Sequence, residues 1–212
     1  MDAVTLSSVN VKLGKRQILK DISACFSYGR IHGIVGLNGS GKSVMFKTII
    51  GLIRPDSGNI TVNGVDWQAK REFAQDIGFL IESPGFLNNL SGFDNLRYLS
   101  SLRVRLSNEQ LRDAMQMVGL NPDERKSVRS YSLGMKQRLG IAQALMEHGH
   151  VLILDEPFNG LDKQGIALIR ELVKNEREKG VCILLSSHNQ ADIDALCDDI
   201  CEIDAGVLTQ LV

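Results

Sequence analysis

Gly36-Leu37-Asn38-Gly39-Ser40-Gly41-Lys42-Ser43 stands between an apolar run, Ile31 to Val35, and the stretch Val44-Met45-Phe46-Lys47-Thr48-Ile49-Ile50. The spacing is G-x-x-x-x-G-K-S, the P-loop pattern. The run before it predicts a strand, and the stretch after it predicts a helix that starts near Gly41. Gly36, Gly39 and Gly41 let main-chain N–H groups close on a phosphate with no Cβ in the way. The helix adds its unpaired N–H groups and the positive end of its dipole. Lys42 can reach the β- and γ-phosphates, and the Ser43 hydroxyl can serve Mg²⁺. The whole segment from Gly36 to Val44, with Leu37, Asn38 and Ser40, is expected to contact a nucleoside triphosphate. A glycine-rich turn with a chance lysine is the bland alternative. The complete spacing, with strand and helix on the right sides, argues against it.

Bulk properties narrow the setting. In 212 residues, Lys+Arg 24 against Asp+Glu 25 leaves a net charge of −1, so charge alone recommends no nucleic-acid partner. A hydrophobic content of 43% with 23% charged residues is that of an ordinary globular protein. Val181-Cys182-Ile183-Leu184-Leu185 is among the longest apolar runs and falls far below the roughly 20 residues needed to span a bilayer. Met1-Asp2-Ala3-Val4 lacks the basic and apolar regions of a secretory leader. Cys25, Cys182, Cys197 and Cys201 are too scattered for a disulfide framework and are expected to be free thiols in a reducing compartment.

Along the chain, residues 3–13 and 17–27 predict an antiparallel hairpin across Gly14-Lys15-Arg16. Short strands are expected at 58–64 and 77–82. Residues 92–149 lose strand character: Leu96, Leu99 and Leu102 recur every three, while Leu111, Met115 and Val118 follow i, i+4, i+7. Leu139, Ala142 and Met146 complete a helical insert of about three helices. From Val151 the pattern alternates again, with strands at 151–155, 181–186, 199–204 and 207–212 and helices near 163–179 and 190–197. This predicts an α/β fold with a mainly parallel sheet covered by helices. One domain is expected over 1–212, with 1–91 and 150–212 forming the core and its antiparallel β part, and about 92–149 the helical part.

Val151-Leu152-Ile153-Leu154-Asp155-Glu156 reads as a buried strand that delivers two acids at its C-terminal end. Asp155 can then stand near the Mg²⁺ held by Ser43, and Glu156 can orient or deprotonate the attacking water. A pair of solvated acids after a strand is the alternative.

Gly36–Ser43, Tyr131-Ser132-Leu133-Gly134-Met135-Lys136-Gln137-Arg138, Asp155-Glu156-Pro157, Asn159-Gly160-Leu161-Asp162 and His188 follow in the order and spacing of an ABC transporter ATP-binding subunit. The resemblance covers essentially the whole chain. More narrowly, the S-L-G-M-K signature and Glu82 resemble the bacitracin- and lantibiotic-type exporters of that class. The resemblance implies that Ser132 and Gly134, with Met135 beside them, meet the γ-phosphate held by a second subunit. Leu133 and Met135 depart from the usual glycine and glutamine. Asp162 matches the family's D-loop aspartate; the alternative is that it caps the helix at 163–179. His188 matches the switch histidine, a γ-phosphate contact. Ser132 is also a natural helix N-cap. His32, His148 and His150 have no such support and are read as structural or surface residues.

Two departures stand out. Glu82 replaces the usual glutamine and would be an anionic oxygen ligand for Mg²⁺ beside Ser43 and Asp155. Leu13 stands where the family tends to carry an adenine-stacking aromatic, which implies weaker base discrimination; it could instead be plain core. The resemblance further implies an ATP-sandwiched homodimer or paired ATPase subunit. It also implies separate integral membrane subunits docked on the helical insert through Glu82-Ser83-Pro84-Gly85-Phe86, and a cytoplasmic location on the inner face of the cell membrane. A soluble ABC-type ATPase acting on nucleic acid or the ribosome is the competing reading. It fits less well, because the chain has one P-loop and no sustained heptads between Lys42 and Asp155.

Overall fold

The apolar alternation of the first thirty residues and the continuous apolar runs later in the chain resolve into two sheets. The computed structural model describes residues 1–70, 74–83, 85–102 and 105–211. β1 (Asp2–Leu13) and β2 (Arg16–Ser27) form the antiparallel hairpin, and β3 (Ile31–Val35) runs into the P-loop and α1 (Lys42–Ile49). β4 (Ser57–Val62) ends before Gly64 and pairs antiparallel with the other edge of β1, so this sheet has the order β2-β1-β4. After the single turn of α2 (Trp67–Lys70) comes β5 (Ile77–Leu80), shorter than its apolar pattern suggested. The chain leaves the strand at Ile81, and Glu82 takes a φ of 58° in the left-handed region.

The helical stretch consists of α3 (Gly92–Ser100), α4 (Asn108–Met117) and α5 (Leu133–Leu145). Each begins at a serine whose hydroxyl accepts a backbone N–H two or three residues into the helix: Ser91 from Asp94, Ser107 from Gln110 and Ser132 from Met135. α3 stops at Ser100, so Leu102 of the predicted three-residue repeat lies past its end and is exposed. Phe86 packs partly on the core, whereas Leu87 is exposed. Pro84 of the expected docking segment lies outside the described residues.

β6 (Val151–Asp155), α6 (Lys163–Glu178), β7 (Cys182–Ser186), α7 (Gln190–Leu196), β8 (Asp199–Asp204) and β9 (Val207–Gln210) complete the chain. They build a six-stranded sheet of order β5-β6-β7-β3-β8-β9, parallel except for β9, which pairs antiparallel with β8. β9 ends at Gln210, and Val212 of the predicted strand lies outside the described residues.

Every residue of β6 and β7 is buried because helices cover one face and the antiparallel sheet with α1 covers the other. Side chains alternate between the two cores as the pleat requires. Leu152, Leu154, Ile183 and Leu185 join the helical side, while Val151, Ile153, Cys182 and Leu184 join Phe46, Leu6 and Phe26 on the other. The parallel register sets Asp155 opposite Ser186 at the C-terminal ends of β6 and β7. β3 ends in the same row, so the P-loop and the two acids meet at one edge.

His32 is buried: its Nδ1 lies 2.9 Å from Asp199 Oδ2, and its ring meets Phe26 edge-on. Burial holds its imidazole below the usual histidine range. All four cysteines are free thiols.

Candidate functional site

α3 to α7 all begin at a capping side chain, but α1 begins at Gly41, which has none. Its first N–H groups therefore remain unsatisfied by any side-chain cap, which suits an anion. They open on a cleft of about 720 Å³ lined by Asn38, Gly39, Gly41, Lys42, Ser43 and Val44 from the loop and first turn. Across from them stand Asp155, Glu156, Asn159 and His188, with Glu82 and Ser83 beside them and Arg16 and Ile18 from β2. The Lys42 ammonium is buried and donates to Gly36 O at 2.6 Å and Leu37 O at 3.2 Å. Leu37 itself points outward, and the buried Ser40 hydroxyl beneath the loop has no partner.

Asp155 is 5% exposed, and both its oxygens accept hydroxyl hydrogen bonds. Ser43 Oγ donates to Oδ2 at 2.7 Å and Ser186 Oγ donates to Oδ1 at 2.6 Å. Glu156 is held at a φ of 53°, with its N–H donating to Ser186 Oγ at 2.9 Å and Ser186 O at 3.2 Å. Its carbonyl accepts from Gln137 Nε2 at 2.9 Å. Its carboxylate receives the His188 N–H at 3.1 Å, while His188 Nε2 lies 3.1 Å from Oε1 without the alignment of a hydrogen bond. Burial pushes the Glu156 carboxyl above its ordinary range; the His188 charge and N–H pull the other way, Asp155 adds to the rise and Lys42 opposes it. The His188 loop is anchored by Ser187 Oγ, which donates to Asp192 Oδ2 at 3.0 Å, and Asp192 in turn is gripped by Arg170.

The donor set suits a hard divalent ion. Ser43 Oγ and Asp155 Oδ2 are oxygen donors side by side at the phosphate loop. Among the described residues no cluster of three or more His, Cys, Asp or Glu could hold a metal alone. Mg²⁺ commonly takes one or two protein oxygens and completes its shell with phosphate and water, so the residues fit. Glu82, the third oxygen ligand predicted, faces the cleft but its Oε1 accepts from Lys47 Nζ at 2.6 Å, one turn beyond Ser43 on α1.

The signature residues divide. Ser132 caps α5 through Met135 N–H at 3.2 Å, and Ser132, Gly134 and Met135 stay off the cleft wall. A Cβ on Gly134 would stand 2.8 Å from Gly160 O, so glycine is needed there for α5 to approach the 160 loop. Leu133 and Gln137 of the same helix do reach the cleft, which was not anticipated. Asp162 caps α6 by accepting from Gly165 N–H at 2.8 Å, and its Oδ1 also takes Arg138 Nη2 at 3.2 Å. Leu13 is exposed and lies off the cleft wall; Arg16 and Ile18 occupy the neighbouring wall. The exposure corrects the core reading of Leu13, whose side chain turns outward at the hairpin tip opposite Arg16.

Residues 19–159 match the family described as ABC transporter. The chain is 36% identical to an uncharacterized ABC transporter ATP-binding protein, YybJ, of Bacillus subtilis, over 97% of this chain and 94% of that protein. It is 37% identical to the bacitracin transport ATP-binding protein BcrA of Enterococcus faecalis, over 99% of this chain and 68% of that one. Identity to the lantibiotic transport ATP-binding protein SrtF of Streptococcus pyogenes is 36%, over 92% and 84%. Among solved structures, an ATP-binding subunit of an ABC transporter superposes with a TM-score of 0.87 at 27% identity, covering 99% of this chain and 90% of that one. A dimeric post-hydrolysis structure of the cassette MJ0796 bound to ADP and Pi superposes at 0.85 with 21% identity, covering 99% of both, which speaks to the fold.

Proposed function

The chain belongs to the ABC transporter family as one of its ATP-hydrolysing subunits, and we propose that it powers an exporter of the bacitracin and lantibiotic type. The observation that carries the catalytic reading is the continuous set of contacts Ser43–Asp155–Ser186–Glu156–His188 along the edge of the P-loop cleft. In this reading the loop N–H groups and Lys42 bind the phosphates. Ser43 and Asp155 would hold Mg²⁺, which would supply positive charge against the phosphates. Glu156 takes the proton of the attacking water; burial raises its affinity for that proton. His188 keeps the Glu156 carboxylate in place and offers its imidazole to the γ-phosphate.

Ser132, Gly134, Met135 and Asp162 all lie off their own chain's cleft. A second copy turned head to tail would bring them over the nucleotide, the arrangement the family resemblance implies. Among the described residues no helix is long and apolar enough to cross a membrane, so separate membrane subunits would carry the cargo. They would dock on the helical part, where Leu87, Tyr98 and Leu102 are exposed, and hold the chain at the inner face of the membrane. Nucleic acid is not an expected partner.

The purified chain should release phosphate from MgATP and stop when the divalent ion is chelated. Nucleotide binding with no phosphate release at any Mg²⁺ concentration would refute the enzymatic assignment. The base side gives a second expectation. Among the described residues no Phe, Tyr or Trp lines the cleft, and base–aromatic stacking is worth about 1–3 kcal/mol per base. GTP should therefore displace ATP at concentrations within about tenfold of each other, as read by competition binding. A hundredfold preference for ATP would contradict this.

A further inference from the structure

We infer that Ser186 is a positioning residue that sets the metal-side and water-side carboxylates together through one hydroxyl. The inference rests on the reading of Asp155 and Glu156 given above. A serine hydroxyl has one hydrogen to give and two lone pairs to receive. Ser186 gives its hydrogen to Asp155 Oδ1 at 2.6 Å and receives the Glu156 N–H at 2.9 Å, in a place with no solvent exposure at all.

Each bond does a separate job. The terminal torsion of an aspartate is broad and two-fold, so a carboxylate with one anchored oxygen still rocks. Ser186 fixes Oδ1, which leaves Oδ2 facing Ser43 and whatever cation Ser43 serves. The second bond holds the Glu156 peptide at its positive φ, a conformation that a residue with a Cβ keeps only where its surroundings enforce it. Gln137 secures the other end of that residue through its carbonyl. The two carboxylates at the end of β6 are thus indexed to each other by a side chain of the adjacent strand β7 that lies off the cleft wall.

A packing role alone predicts something different. Glu156 N–H also reaches Ser186 O at 3.2 Å, a bond that survives removal of the hydroxyl, so Ser186→Ala retains the strand and its connection. The P-loop contacts to phosphate are untouched. Ser186→Ala should lower kcat about tenfold or more, leave the KM for ATP within about threefold, and raise the Mg²⁺ concentration giving half-maximal effect about threefold or more. The Mg²⁺ midpoint is read twice: from hydrolysis, and from the fluorescence of a bound N-methylanthraniloyl-ATP, which needs no turnover. Ser186→Thr, which keeps a hydroxyl, should recover most of the lost rate. A folded Ser186→Ala protein with either kcat or the Mg²⁺ midpoint within twofold of wild type overturns the inference.

If Ser186→Ala does not fold, Ser186→Cys, of similar volume but a weak donor, takes its place with the same expected losses. Wild-type behaviour of that variant would equally overturn it. If the unmodified chain itself neither hydrolyses ATP nor responds to Mg²⁺, the functional assignment fails instead, a result readily told apart from the first.

Discussion

Glu156→Gln is expected to lower kcat for MgATP hydrolysis roughly 10²–10⁴-fold while leaving ATP affinity within about threefold. The amide keeps the length of the side chain and can still accept the His188 N–H, so the loop geometry should persist. What it removes is the proton acceptor, a carboxylate half enclosed between Asp155, His188 and the P-loop lysine. Nucleotide affinity should hold because the phosphate contacts come from the loop N–H groups and Lys42, none of which Glu156 touches through a hydrogen bond. Phosphate release measured beside equilibrium nucleotide binding separates the two. A variant that still turns over within tenfold of wild type would move the proton-accepting role elsewhere.

Gly36→Ala should lose nucleotide binding and destabilise the fold together. Gly36 sits at φ 143°, where residues with a Cβ are strained, and an added Cβ would stand 2.2 Å from Ile203 O on β8 and 2.9 Å from Ser40 Oγ. The first obstacle is backbone of β8, held between β3 and β9, and cannot swing aside. Relief requires the P-loop to lift off the β3 end, which takes Gly36 O and Leu37 O away from Lys42. Overpacking with backbone strain costs about 3 kcal/mol or more, a fall of roughly 6–12 °C in Tm for a domain of this size. Thermal unfolding with and without MgATP reads both effects. A normal Tm, or an undiminished ATP-induced rise in Tm, would show that the loop tolerates the methyl group.

Which parts of this site were readable in advance follows from how far apart the interacting residues lie. The P-loop, the strand ending in Asp155 and Glu156 and the serine that caps α5 are local patterns. Glycine spacing, an apolar run and a capping residue each act within a few positions, so the sequence displays them directly. The strand–helix alternation likewise announced the parallel sheet. Ser186 was invisible for the opposite reason. Its importance comes from the β6–β7 register, which pairs it with Asp155, and register is a property of two strands rather than of either.

Gln137 was passed over because only the crossing of α5 over the β6 end brings its amide to Glu156 O. The sequence showed the chemistry of Glu82 but not the backbone turn at φ 58°, nor its partnership with Lys47. Leu13 illustrates the same limit: its place in the hairpin was legible, whereas the direction of its side chain depends on the β1–β2 register, which shifts at several points along the pair. Asp162 is the helix cap that its position before 163–179 allowed, while its second contact, to Arg138 on α5, depends on how two distant helices meet.

In the proposed mechanism one chain grips ATP and a second chain must close over it before hydrolysis proceeds. Light scattering of the Glu156→Gln protein, chromatographed with and without MgATP, tests this most directly. A single-chain mass is expected without nucleotide and twice that mass with it, the shift being abolished by Ser132→Arg, which would block the approaching signature. A single-chain mass in saturating MgATP, under conditions where the unmodified protein hydrolyses ATP at full rate, would contradict it.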